Sequence, residues 1–335
     1  MSKYKENERK KAIDLIKNSE LFEGCKAGGE YRKIRRDFVL SDENYNLYHS
    51  IREDVKTYFK ENRISWWGNG QKRPTAHVLS SQIACVNHLF PIRNDRDEVL
   101  KIAQIICKDI IDVFVIETDK FPPAYIAFEA VSNKDYLNEC EKGKKPTRGT
   151  LCTSIDALIY AKHKNGKSYF LAIEWKYTEN FENKDKSVED RKGEPKGTNG
   201  KGKERLDRYV NNAPNLIPNS KQLKIKLSDY KSSIYFIDPF YQLMRQTLWA
   251  EQMIAHRNSE KISAEDFIHV HVIPLGNSDL LGKTHPRSNK TMEATWQENL
   301  QDPNKYKIIS PGDLLADIDT NKFGELRKYL EKRYW

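Results

Sequence analysis

Apolar positions along the chain change their spacing twice. Ile13, Leu15 and Ile16, then Tyr45, Tyr48, Ile51, Val55 and Phe59, recur at helical intervals and predict helices within residues 4–62. Ser41, followed by Glu43 and Asn44, is the candidate N-cap of the second. A turn-rich stretch, WWGNGQKRP at 66–74, precedes two apolar helical segments at 80–89 and 95–115. From residue 124 the period shortens. AYIAFEAV at 124–131, TSIDALIYA at 153–161 and the run 168–177 are β-branched and aromatic, bounded by polar residues, and predict three strands. Residues 181–203 carry scarcely an apolar side chain and predict a mobile loop. A short strand is expected at 233–237. Pro239 stands where a first-turn proline would open the helix FYQLMRQTLWAEQMI at 240–254, which leads to the alternating strand FIHVHVIPL at 267–275. The chain then looks helical to its end. The order is helix, three strands, helix, strand, with no internal repeat.

Composition narrows the class. With 335 residues, 38% hydrophobic, the chain can bury one large core or two ordinary ones, which excludes a disordered tail or a mini-protein. Its 57 Lys and Arg against 48 Asp and Glu give +9, a balance that suits phosphate-bearing partners but that a solvated surface explains almost as well. The five cysteines, Cys25, Cys85, Cys107, Cys140 and Cys152, form no Cys-x-x-Cys pair and suggest neither a disulfide framework nor a zinc ribbon. The first residues are too polar for a secretory signal, and no stretch approaches the roughly 18 apolar residues of a membrane span. A cytoplasmic protein with no membrane association is expected.

The chemistry concentrates at 153–179, where two apolar strands meet at Asn165-Gly166, a hairpin signal. The strand period of two puts Glu174 and Lys176 on one face and Ile173 and Trp175 on the other. Whether Asp156 joins them depends on the turn. A two-residue turn pairs Lys164 with Lys167 and sets Asp156 opposite Trp175, on the wrong face. A three-residue loop with Gly166 left-handed pairs His163 with Lys167 and sets Asp156 across from Glu174. Asn-Gly suits both, and the second is preferred because it assembles a functional set. Facing carboxylates repel, and a divalent cation between them relieves the conflict. Oxygen ligands suit Mg²⁺, with Mn²⁺ able to substitute, and Lys176 would orient an attacking water.

Asp156 followed by Glu174-Trp175-Lys176 resembles the PD-(D/E)xK nuclease superfamily, whose core runs αβββαβ. The string IEWKYTE at 173–179, with Ser80-Ser81-Gln82 and Arg148-Gly149 upstream and FYQLMR at 240–245 downstream, resembles a bacterial restriction-endonuclease-like family within it. Ile155 stands where that motif often has proline. The resemblance implies an α/β fold: a restriction-endonuclease-like core at 76–280 with a mixed central sheet flanked by helices, an N-terminal helical region at 1–75, a mobile loop at 181–205 and C-terminal helices at 281–335. It implies a Mg²⁺-dependent DNA endonuclease acting in restriction or anti-phage defence, with Asp156 and Glu174 as metal ligands and Lys176 as catalytic lysine. It further implies Glu129 as an added metal ligand, and Gln242 and Arg245 as polar residues near the lysine or the substrate phosphate. Double-stranded DNA is the implied partner. Cutting both strands would commonly require a homodimer, although no interface signature is evident, and no small-molecule cofactor is implied.

Other residues carry weaker signals. Arg148, Lys144 and Lys145, with Lys142, precede the Asp156 strand and are the best phosphate-contact candidates. Ser81 and Gln82 could touch nucleic acid, though a helix cap is the better reading of the serine. Trp66 and Trp67 more often anchor a loop on a core than meet DNA. His269 and His271 lack partners at zinc spacing and read as structural. A repair or recombination exonuclease, an RNA-directed enzyme and a silent nucleic-acid-binding module remain alternatives.

Overall fold

The computed structural model describes residues 2–68, 72–118, 120–140, 152–190, 200–224 and 233–335. Helix α1 (Lys3–Asn18) is capped by the Ser2 hydroxyl and precedes an antiparallel hairpin of β1 (Ala27–Tyr31) and β2 (Ile34–Leu40). Helices α2 (Arg52–Glu61), α3 (Ser81–Leu89) and α4 (Arg96–Ile106) follow. Strands β3 (Ile110–Phe114), β4 (Ile126–Ala130), β5 (Ile155–His163) and β6 (Ser168–Trp175) begin the main sheet. After the short helices α5 (Lys201–Leu206) and α6 (Leu216–Asn219) come α7 (Phe240–Ala255) and β7 (Asp266–Val272). The described chain closes with α8 (Ser278–Leu281), α9 (Met292–Glu298), β8 (Tyr306–Ile309), α10 (Pro311–Leu314) and α11 (Thr320–Arg333).

The sheet is mixed, with six strands in the order β3-β5-β6-β7-β8 and β4 beside β5. Strands β3, β4 and β6 run antiparallel to β5, whereas β6, β7 and β8 are mutually parallel. The period of two divides the core. Ala157, Ile159, Ile173, Val270 and Val272 face a layer that includes α1–α4 and α11. Leu158, Phe170, Ala172 and Phe267 face α7 and α9. The fold is therefore the expected α/β class, with the predicted order present as α4, β4–β6, α7 and β7.

Several local expectations are corrected. Residues 27–40 form a hairpin rather than helix, because Gly28 sits at φ 82 and the Cβ of any larger residue at Gly29 would lie 1.9 Å from the Leu40 carbonyl oxygen. The segment 95–115 stops being helical at Ile106, and β-branched Ile110, Ile111 and Val113 pair with β5 as a strand. Asp42, not Ser41, caps the turn Glu43–Asn46, and α2 starts only at Arg52. Residues 234–236 make a 3-10 turn instead of a strand, and Pro239 is the N-cap of α7 rather than its first residue. The helical tail contains β8, which extends the parallel edge of the sheet. In the segment expected to be a mobile loop, the described residues include the turn Lys186–Val188 and α5, joined by Arg205 donating to Glu189 at 2.8 Å. That element is held by charge rather than apolar burial, which hydrophobic periodicity does not register.

The β5–β6 turn takes the three-residue form. His163 N–H donates to the Lys167 carbonyl at 3.0 Å, Gly166 N–H donates to His163 at 3.0 Å, and Gly166 has φ 86. The ladder runs from Lys162↔Ser168 to Ala157↔Ile173; carried one residue further, the same register puts Asp156 opposite Glu174, where the Asp156 carboxylate accepts the Trp175 N–H. A Cβ at Gly166 meets nothing within 4 Å, so replacing it costs only backbone strain. Gly166→Val should lower unfolding free energy by about 1–2 kcal/mol in urea titration while leaving the transition cooperative; an unchanged midpoint would contradict the left-handed turn.

Candidate active site

Strand β6 and its extension present Glu174 and Lys176 toward α7, the ladder continuing through Lys176 N–H donating to Val272 at 2.9 Å. Both side chains are nearly sealed from water, at 4% and 6% exposure. Lys176 Nζ donates to Glu174 Oε1 at 2.7 Å and to Gln242 Oε1 at 2.8 Å, and Gln242 Nε2 donates to the same Glu174 oxygen at 2.6 Å. Gln246, one helical turn further along α7, donates to Glu174 Oε2. Burial disfavours the ammonium of Lys176, but Glu174, Glu179 and Asp156 outweigh this and hold it above the ordinary lysine value. Lys176 is thus a fixed cation at neutral pH and not a general base.

Asp156 begins the other strand of the pair. Its Oδ2 accepts the Trp175 N–H at 2.8 Å. Burial, then Glu174 and Glu129, push its carboxyl well above the ordinary range, and Lys176 and the Trp175 N–H offset this only in part. Glu129, at the left-handed φ of 48 on β4, accepts Gln82 Nε2 at 2.7 Å and the Ser154 hydroxyl at 2.9 Å. The Cys85 thiol on α3 is raised by burial and then by Asp156, Glu129 and Glu174, so it lies in the field of all three carboxylates. The acids converge where negative charge exceeds what one lysine neutralises.

The donor set fits Mg²⁺. Among the described residues no three His, Cys, Asp or Glu side chains are grouped to hold a metal ion. Mg²⁺ needs fewer: it commonly takes one or two carboxylates and completes its shell with water and phosphate oxygens. Asp156 and Glu174 offer oxygen from the ends of adjacent strands, and the Asp156 carboxyl, raised by burial first and by Glu174 and Glu129 next, is one that a cation would help to ionise.

The structure thus bonds Glu174, Lys176 and Gln242 into one cluster, while Asp156 bonds the Trp175 backbone beside it and feels the charges of Glu174 and Glu129. Gln82 stands beside them, spanning Glu129 and the Trp67 N–H, to which its Oε1 is bonded at 2.8 Å. Arg245 does not join them: its Nε donates to buried Glu139 at 2.7 Å, and Glu139 also receives the Tyr209 and Thr153 hydroxyls. Arg148, Lys144 and Lys145, with Lys142, lie outside the described residues. The serine capping α3 is Ser80 rather than Ser81. The tryptophans divide: Trp66 is 3% exposed and stacks on Phe59, whereas Trp67 is 43% exposed and stacks on Tyr31. His269 and His271 are buried on β7, with His271 Nδ1 3.1 Å from the Tyr306 hydroxyl. Sequence reasoning missed Gln246 and Ser154. Gln246 was detectable as the i+4 neighbour of Gln242 on one helix face.

A model of the family described as "Restriction Endonuclease associating with ARP" matches residues 3–335. No curated protein and no solved structure matches the chain. No helix among the described residues is long and apolar enough to cross a membrane.

The raised Asp156 carboxyl fixes a pH dependence. Between the ordinary aspartate value and the higher folded one, the native state binds more protons than the unfolded state, so stability falls as pH rises through that window. Asp156→Asn retains an acceptor for the Trp175 N–H and removes the charge. In metal-free buffer it should therefore raise Tm at neutral pH and flatten the pH profile, and a lower neutral-pH Tm would contradict the convergence of charge.

Proposed function

The chain belongs to the family of restriction endonucleases associating with ARP, and on that premise we propose that it is a Mg²⁺-dependent DNA endonuclease acting in restriction of foreign DNA. The observation carrying this reading is the buried cluster in which Glu174 is bonded to Lys176 and Gln242, with Asp156 tied to the same strand end by accepting the Trp175 N–H. Asp156 and Glu174 hold the ion, with Glu129 a further oxygen donor nearby. When bound, Mg²⁺ supplies Lewis acidity toward a phosphate oxygen and lowers the pKa of water.

The chain's own residues position and neutralise. Lys176 carries three N–H donors, of which Glu174 and Gln242 take two. The third would donate to the attacking water or a non-bridging phosphate oxygen, where a permanent cation stabilises charge developing on phosphorus. Gln242 and Gln246 fix Glu174 from α7, so the carboxylate does not swing as substrate enters. Each chain carries one acid pair, and a second copy of the chain supplies the cut in the other strand.

Purified protein should relax and linearise supercoiled plasmid with Mg²⁺ or Mn²⁺ and lose this activity in EDTA. Asp156→Asn and Lys176→Gln should each reduce the rate by about a hundredfold or more. Full activity in both folded variants would overturn the assignment, and digestion of linear but not circular DNA would replace the endonuclease with an exonuclease.

A further inference from the structure

We propose that the β1–β2 hairpin is a clamp on duplex DNA, its tip cations engaging backbone phosphates of the duplex cleaved at the Asp156–Glu174 pair; the proposal rests on the nuclease reading above. The tip sequence is YRKIRR at 31–36, and Arg32, Lys33, Ile34 and Arg35 are exposed. Arg32 and Lys33 form the turn with φ 52 and 62, the doubly left-handed geometry of a two-residue hairpin turn. Non-glycine residues adopt it at a cost in backbone strain, tolerated here at two consecutive cations. Residues 26–37 hold five Lys or Arg against Glu30 and Asp37. Among the described residues, Arg32, Lys33 and Arg35 make no ion pair.

A run of contacts ties this tip to the acids. The Tyr31 ring, 5.3 Å from the Arg32 guanidinium carbon, stacks on exposed Trp67 with centroids 5.3 Å apart. Trp67 N–H donates to Gln82, Gln82 donates to Glu129, and Glu129 receives the hydroxyl of Ser154, two residues before Asp156. His77, edge-on to Tyr31, Trp67 and Phe38, closes the base of the hairpin. Burial lowers its pKa to about 4, assisted by Lys5, Arg9 and Arg36, so the field there is positive. The hairpin also packs on α1.

The shape selects the partner. A two-stranded ribbon is an element that the major groove of B-DNA admits, and closely spaced Arg and Lys at its tip match successive phosphates. An acidic protein segment would satisfy the charge but has no need of a ribbon braced against a catalytic centre.

The test uses Asp156→Asn protein in EDTA with a fluorescein-labelled mixed-sequence duplex, read by anisotropy from about 50 to 300 mM salt. Adding Arg32→Ala, Lys33→Ala and Arg35→Ala should reduce the slope of log affinity against log salt by about 2 to 3 and weaken binding about tenfold or more at physiological salt. Lys at 32 and 35 should retain the parental slope. Equal slope and affinity in the folded alanine variant would overturn the clamp and leave the hairpin to a protein partner. If the parent fails to bind duplex and the wild type fails to cut plasmid, the nuclease reading falls and the clamp with it; binding by the parent with an unaltered variant defeats the clamp alone.

Discussion

The register of the β5–β6 hairpin is the constraint on which the rest of this arrangement depends. The three-residue turn, with Gly166 left-handed, sets a register that brings Asp156 and Glu174 to the same end of adjacent strands. A register one residue shorter would turn Asp156 to the other face of the sheet. The placement of the two acids therefore begins at a turn eight residues from the nearer of them, Glu174. Lys176, two residues along the same strand, supplies a positive charge bonded to Glu174.

Helix α7 completes what the sheet begins. Gln242 and Gln246 lie a turn apart and address both oxygens of Glu174, while Arg245, on a different face, anchors the helix through Glu139 to Thr153 just ahead of β5. One helix thus orients the glutamate directly and braces the strand bearing the aspartate. Glu139 stays below the ordinary carboxyl range although burial opposes this, because Arg245, Tyr209 and Thr153 outweigh it. Asp156 differs: burial, Glu174 and Glu129 raise its carboxyl, and Lys176 and the Trp175 N–H offset this only in part, the kind of perturbation that points to a candidate site.

Much of this was legible in the sequence. Period-two alternation placed Glu174 and Lys176 together, Asn-Gly located the turn, and the helix at 240–254 brought Gln242 within reach. The sequence left the turn length open, because both hairpin types accept Asn-Gly; the choice is made by pairing along the whole ladder. The β1–β2 hairpin is hidden in the sequence because helical spacing on either side of it masks Gly28 and Gly29. Strands β3 and β8 were lost inside helical regions for a related reason: each is only four or five residues long, and its assignment depends on neighbours distant in the chain. Ser154 carries no local signal, since its contact with Glu129 depends on the pairing of β4 with β5.

On the proposed reading, Asp156 and Glu174 form one divalent-cation site. Mn²⁺ titration followed by electron paramagnetic resonance, in which bound ion loses the sharp signal of free ion, addresses it without DNA or turnover. Saturable binding in the wild-type protein that disappears in Asp156→Asn is the expected result; identical titration curves for the two proteins would contradict it.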